Sequence, residues 1–238
     1  MVEYASLSGN DTVLDVGAGL GFLTRFMADK CKRVLAVEAD TGLASILREQ
    51  LLGAPNVEII EGNVLEEDVP LFNKVVSIPP YKISSRLLVW LFNKGFDCAV
   101  LVFQKEFASR LVAQIGSEDY GWLTVLTYYY AEAELLDDIP KWMFYPEPKI
   151  DSVITYLKSK KPRPFTIKDE AMFKRMVQLI FTQRNKKVGN AVLHYLRSAR
   201  GVPKENAVKI AEHLTVHGKR VRELAPEDFG ALANALVE

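Results

Sequence analysis

Along the first 155 residues, apolar positions switch repeatedly between a strand-like and a helix-like period. TVLDVG (12–17) is a short run rich in Val and Leu that ends in glycine. Over 21–31, Phe22, Leu23, Phe26 and Met27 fall on one helical face. RVLAVEA (33–39) reads as a second strand, and Leu43, Ile46, Leu47 and Leu51 mark a second helix. VEIIEGN (57–63) and KVVSI (74–78) predict the third and fourth strands. A helix over 84–94 follows, with Leu87, Leu88, Leu91 and Phe92 on one face, and then a fifth strand, CAVLVFQ (98–104). This alternation predicts an α/β fold: a doubly wound, mostly parallel sheet of Rossmann-like type with helices on both faces and right-handed crossovers.

The pattern changes further on. EFASRLVAQIG (106–116) reads as a helix stopped by Gly116. WLTVLTYYYAEAELL (122–136) and DSVITYLK (151–158) are rich in β-branched and aromatic residues and predict two more strands at the sheet edge. KKPRPF (160–165) carries two prolines and reads as a linker. Beyond it the spacing is helical: Phe173, Met176, Val177, Ile180 and Phe181, then Val188, Ala191, Val192, Tyr195 and Leu196. The expected division is an α/β domain over 1–159 and a small all-helical domain over 160–238.

The net charge of zero conceals a strong asymmetry. Residues 1–157 hold 13 Lys+Arg against 22 Asp+Glu, and residues 158–238 hold 17 against 8, so the halves carry −9 and +9. A basic helical region on an acidic body points to nucleic acid or another acidic surface. No apolar run reaches the roughly 18 residues of a membrane span. No signal peptide is visible, which predicts a cytoplasmic protein without membrane contact. Cys31 and Cys98 have no metal-ligand spacing, and neither have His194, His213 and His217, so no metal site is expected. Trp90, Trp122 and Trp142 read as packing residues, as do Tyr128, Tyr129 and Tyr130.

Three strand ends carry candidate ligand-binding residues. The first ends in Asp15-Val16-Gly17-Ala18-Gly19-Leu20-Gly21. Glycines there permit a tight turn, and the next helix offers free N–H groups. The spacing is GxGxG, not the GxGxxG of dinucleotide phosphate binding. Glu38 ends the second strand, where a carboxylate accepts from ribose hydroxyls. Gly62-Asn63 ends the third, where a polar side chain reaches an adenine edge. In this order the three favour an adenosyl ligand, and they resemble the class I S-adenosylmethionine-dependent methyltransferases. That resemblance implies S-adenosyl-L-methionine as cofactor, with Asp15 near its methionine part, Glu38 on the ribose and Asn63 at the adenine amino group.

The fourth strand ends in Ser77-Ile78-Pro79-Pro80-Tyr81-Lys82-Ile83-Ser84-Ser85. Here the chain resembles the ribosomal RNA adenine N6-dimethyltransferases of the KsgA type, whose fourth motif reads Asn-Leu/Ile-Pro-Tyr/Phe followed by x-Ile-Ser-Ser. Further matching words are 96–113, Asp119-Tyr120-Gly121-Trp122-Leu123, Phe144-Tyr145-Pro146-Glu147-Pro148-Lys149-Ile150-Asp151-Ser152, Phe181–Lys187 and Arg222–Phe229. The resemblance implies N6-dimethylation of adenosines in small-subunit rRNA, or in a pre-30S-type particle, during ribosome biogenesis. It implies catalytic roles for position 78, for the Pro79 carbonyl as an acceptor of an amine hydrogen, for Tyr81 as a stacking platform and for Phe144 on the opposite wall. Ser77 is a further candidate at the same strand end, as a cofactor contact and, if the loop is shifted by one residue, as the second acceptor for the amine.

The chain departs from the family pattern in three places. Ile78 stands where the family has Asn, and one lost hydrogen bond costs about 0.5–1.5 kcal/mol, which slows transfer without ending it. Asn63 stands where Asp is usual, so cofactor binding weakens. The family's covering segment before the first strand carries a Gly-Gln-x-Phe-Leu signature, and Met1 stands only about ten residues before that strand, so either the site is less covered or the natural start lies further upstream. For RNA the candidate contacts are Arg184, Lys186, Lys187, Arg220 and Arg222, which give affinity through phosphates. The chain is expected to act as a monomer. The alternative from another class is a family member without catalysis that serves as an RNA-binding assembly factor. A small-molecule methyltransferase is a third reading, disfavoured by the basic helical region.

Overall fold

The computed structural model describes residues 1–237. In chain order its strands and helices are β1 (Thr12–Val16), α1 (Phe22–Ala28), β2 (Arg33–Glu38), α2 (Thr41–Gln50), β3 (Val57–Glu61), β4 (Lys74–Ser77), α3 (Ser84–Lys94), β5 (Cys98–Gln104), α4 (Lys105–Ser109), α5 (Trp122–Tyr130), β6 (Ala131–Ile139), β7 (Ser152–Ser159), α6 (Glu170–Phe181), α7 (Val188–Arg200), α8 (Lys204–Glu212) and α9 (Pro226–Leu236). Two compact units emerge: Met1–Ala108 with Glu132–Ser159, and Ser109–Ala131 with Lys160–Glu238.

The first unit is built on a seven-stranded sheet of order β3-β2-β1-β4-β5-β7-β6. β1 to β5 pair in parallel, and β7 runs antiparallel to β5. The central strands are apolar on both sides because helices cover both faces: Val13, Leu14, Leu35, Val75, Val76 and Val100 are all fully buried. The order reverses between β1 and β4, the switch point at which open α/β sheets leave a crevice at the carboxyl ends of their strands. There the ladder stops at Leu14↔Val75. Beyond it the Ser77 hydroxyl accepts from the Val16 N–H (3.1 Å) and donates to the Val16 carbonyl (2.7 Å).

Asp11 fastens the opposite end of the sheet. It accepts from the Ser8 N–H at 2.7 Å and from Asn73 at 2.7 Å, and Lys74 stands 3.1 Å away. Burial pushes its carboxyl up, but the hydrogen bonds from Asn73, Ser8 and Lys74 outweigh this and hold it at about 2. A depressed carboxylate contributes stability above its unfolded value near 4, and that stability disappears as pH falls through about 2. Asp11→Asn is therefore expected to cost about 2 kcal/mol at pH 7 and to flatten the loss between about pH 4 and pH 2, as read by urea unfolding across pH.

In the second unit, α6 and α7 bury the apolar stripes seen in the sequence, with Phe173, Met176, Val192 and Tyr195 almost wholly enclosed. Asp169 caps α6 by accepting from the Met172 N–H at 2.8 Å, and α7 stops at Gly201 with φ of 65°. Here two expectations fail. Residues 122–130 form α5, not a strand, and only 131–139 join the sheet as β6. Leu123, Thr124, Val125, Leu126, Thr127, Tyr129 and Tyr130 are all buried, so a helix enclosed on nearly every side shows no amphipathic period. Thr124 starts it, accepting from the Gly121 N–H (3.1 Å) and donating to the Arg110 carbonyl (2.6 Å). The helix expected over 106–116 is only the short α4, which ends where Ser109 turns to donate to Asp119 (3.0 Å). The stretch 109–131 belongs with 160–238 in the second unit. α5 packs against α6 and α9.

Candidate functional site

The glycine loop after β1 is shaped by backbone demands at each glycine. Gly17, Gly19 and Gly21 have φ of 74°, 57° and 78°, a region that side chains disfavour. The N–H groups of Gly17 and Ala18 both donate to the Val37 carbonyl, at 2.8 and 3.2 Å. A Cβ on Gly17 would lie 2.9 Å from the Pro80 side chain, and one on Gly21 would lie 2.4 Å from Leu47. Gly19 differs, since a Cβ there would meet nothing nearer than 4.0 Å. Gly17 and Gly21 are thus close-packing positions, and Gly19 leaves open space above the loop.

Glu38 organises the neighbouring strand end. Its carboxylate is buried and accepts from the Gly19 N–H at 2.9 Å and the Asp40 N–H at 2.9 Å, one bond on each oxygen. A carboxylate has about four acceptor sites, so each oxygen keeps one for a further donor. Asp40 in turn caps α2, accepting from the Leu43 N–H at 2.9 Å. Asp15 is 1% exposed and accepts from the Thr24 hydroxyl at 2.7 Å, which ties β1 to α1 beneath the loop. Burial pushes its carboxyl up to about 7; the Thr24 hydroxyl works against this and the Glu38 charge adds to it. Asn63 follows Gly62, whose N–H donates to the Glu38 carbonyl at 2.8 Å. Its Oδ1 accepts from the Leu65 N–H at 3.2 Å and its amide donates to Glu66 at 2.6 Å, so the side chain is partly spent on its own turn.

The loop after β4 meets the glycine loop through the Gly17–Pro80 contact. Pro79 is buried, while Ile78 is 42% exposed at the strand tip. Tyr81 is half-buried, and its hydroxyl shares a 2.7 Å hydrogen bond with Ser152, the first residue of β7. The Ser84 hydroxyl donates to the Tyr81 carbonyl at 2.9 Å, fixing the turn that leads into α3. Ser77, expected to face a ligand, is fully buried with its hydroxyl bonded both ways to Val16, so it closes the sheet. Phe144 packs against the apolar cluster that includes Val76, Val102 and Ile154. The residues missed by sequence reasoning are Thr24, Pro80 and Ser152. Ser152 and Pro80 lie within the family-like motifs, but only the fold assigns them partners.

In the second unit the candidate cations are gathered by a short pairing of two segments. Val221 N–H donates to the Lys186 carbonyl (3.0 Å), Arg222 N–H to the Arg184 carbonyl (3.1 Å) and Val188 N–H to the Lys219 carbonyl (2.8 Å). Lys186, Lys187 and Arg220 are exposed there. Arg184 is spent differently: its guanidinium donates to the carbonyls of Glu118 (2.6 Å) and Ser117 (2.9 Å), which clamps the loop before α5. Among the described residues no cluster of metal-ligating side chains occurs, and no helix is long and apolar enough to cross a membrane.

Comparison with known proteins agrees with this geometry. The family model for ribosomal RNA adenine dimethylase matches residues 1–227. A probable ribosomal RNA small subunit methyltransferase A from Methanosarcina acetivorans is 40% identical over 240 residues, covering 100% of this chain and 88% of that one. The corresponding protein of Methanothermobacter thermautotrophicus is 36% identical, covering 98% and 83%. A dimethyladenosine transferase from Plasmodium falciparum superposes with a TM-score of 0.79 at 27% identity, covering 96% of this chain and 90% of that one. The 23S rRNA methyltransferase ErmE gives 0.68 at 30% identity, with 100% and 95% covered. The family-model match over residues 1–227, with a relative 40% identical across the whole chain, places this protein in the ribosomal RNA adenine dimethylase family.

Proposed function

We propose that the protein transfers methyl groups from S-adenosylmethionine to N6 of adenosines in small-subunit rRNA, on a pre-30S-type particle, and that it does so as a cytoplasmic monomer. The observation that carries this reading is the packing of Gly17 on Pro80, which joins the glycine loop to the Pro-Pro-Tyr loop at the switch point. The residues fit the cofactor: the space over Gly19 is open, and each Glu38 oxygen keeps an acceptor site suited to a ribose hydroxyl. When bound, S-adenosylmethionine supplies an electrophilic methyl group on a sulfonium sulfur. Glu38 holds the ribose and Asn63 the adenine edge, while Asp15, tied to Thr24, braces the loop from below, and the cationic methionine end draws its carboxyl toward the charged form.

The target N6 amine is a poor nucleophile because its lone pair is delocalised into the ring. The Pro79 carbonyl accepts one amine hydrogen and turns the lone pair toward the methyl group, a gain from positioning. Tyr81, held by Ser152, stacks on the extruded base, and Phe144 bounds it. Lys186, Lys187, Arg220 and Arg222 supply phosphate contacts, largely independent of sequence. The reading without catalysis is not favoured, because the curated relatives are named as methyltransferases.

Undermethylated small subunits, incubated with methyl-labelled S-adenosylmethionine and digested to nucleosides, should yield labelled N6,N6-dimethyladenosine. Tight subunit binding with no label would overturn the reading. Ile78 supplies no side-chain acceptor, so Ile78→Asn is expected to raise the single-turnover rate roughly 2- to 10-fold, the worth of one hydrogen bond. Ile78→Ala should give no such gain, and equal rates for Ile78→Asn and wild type would contradict the assigned geometry.

A further inference from the structure

A cavity of about 400 Å³ lies in the second unit at the start of α5, lined by Arg110, Glu118, Asp119, Trp122, Phe181 and Arg184 among others. Its floor is rigid. Tyr120 is 1% exposed, donates from its hydroxyl to the Leu224 carbonyl at 2.7 Å, and meets Phe181 edge-on at 5.7 Å. Its rim is polar and mixed in charge. Arg184 is locked onto the Ser117 and Glu118 carbonyls, whereas Arg110 is exposed and its guanidinium has no partner among the described residues. Asp119 uses one oxygen on Ser109 and keeps the other. The half-buried Trp122 indole is a lining residue, which gives it a different place from the packing role its sequence context suggested.

We propose that this cavity takes one unpaired ribonucleotide of the rRNA, a second contact separate from the methylated base. The inference rests on the rRNA methyltransferase reading. An apolar floor with a few convergent polar groups is the usual form of a small-ligand site, and about 400 Å³ lies within the usual range. An indole face stacks on any nucleobase. Glu118 and Asp119 accept from exocyclic amines, which selects a base carrying one. Arg110 at the rim meets the attached phosphate. The cavity shares Arg184 with the turn that presents Lys186 and Lys187, so the same segment that offers cations to the RNA backbone walls the base site.

Binding of small subunits by filter assay, at several salt concentrations, tests this. Trp122→Ala should weaken binding roughly 5- to 100-fold, the equivalent of one lost base stack, while Trp122→Phe stays within about threefold of wild type. Arg110→Gln should reduce the slope of log affinity against log salt by about one. S-adenosylmethionine affinity should not change in any of them. Ultraviolet cross-linking of wild type to the subunit should attach a nucleotide to the peptide containing Trp122. If Trp122→Ala fails to fold by circular dichroism, Arg110→Gln and the cross-link decide. Wild-type affinity in Trp122→Ala or an unchanged salt slope in Arg110→Gln, with subunit binding by wild type intact, would overturn the cavity site alone. Absence of subunit binding by wild type would overturn the parent reading, and this one with it.

Discussion

Glu38→Ala is expected to weaken S-adenosylmethionine binding by roughly 100-fold, about 3 kcal/mol, while leaving the affinity for small subunits unchanged. Two losses combine. The two ribose hydroxyls lose their acceptors, and hydrogen bonds to a charged group are worth about 1.5–3 kcal/mol. The N–H groups of Gly19 and Asp40 also lose their partners, so the glycine loop is no longer tied to the end of β2. Glu38→Gln should fall between, because one carboxamide oxygen serves one N–H and its NH2 group confronts the other. Isothermal titration calorimetry reads the effect directly. Wild-type affinity in Glu38→Ala would show that the cofactor does not lie over this loop.

Tyr81→Ala should lower the rate of methyl transfer at subsaturating subunits roughly 10- to 100-fold, since a base stacked on an aromatic ring is worth about 1–3 kcal/mol. Cofactor affinity should stay at the wild-type value. Tyr81→Phe keeps the ring and removes the 2.7 Å bond to Ser152. Its expected loss is smaller, about 2- to 10-fold, through a less well oriented ring. Equal rates for Tyr81→Phe and Tyr81→Ala would mean that the hydroxyl, not the ring face, matters. That outcome would remove the stacking role.

The parts of the fold that were legible in the sequence are those whose burial is one-sided or complete in a short run. CAVLVFQ is β5 to the residue, and Leu87, Leu88, Leu91 and Phe92 mark the buried face of α3. The α5 segment was not legible. Val125, Thr127 and three consecutive tyrosines favour extended structure locally, and tertiary packing on α6 and α9 overrides that preference. The site divides along similar lines. Glycine spacing and strand-end carboxylates are local signals, so Gly17, Gly19 and Glu38 could be named in advance. The commitments of Ser77 to Val16, of Arg184 to Ser117 and Glu118, and of Tyr81 to Ser152 are set by segments some 60 to 70 residues apart. No spacing within one segment reveals them.

A co-crystal structure with S-adenosylhomocysteine and adenosine tests the central claim most directly. The account predicts the cofactor product over Gly19 with its ribose hydroxyls on Glu38, and the adenosine ring against Tyr81, in one continuous site at the tips of β1, β2 and β4. Ligands bound elsewhere, or a Glu38 and Tyr81 that border no common site, would contradict it.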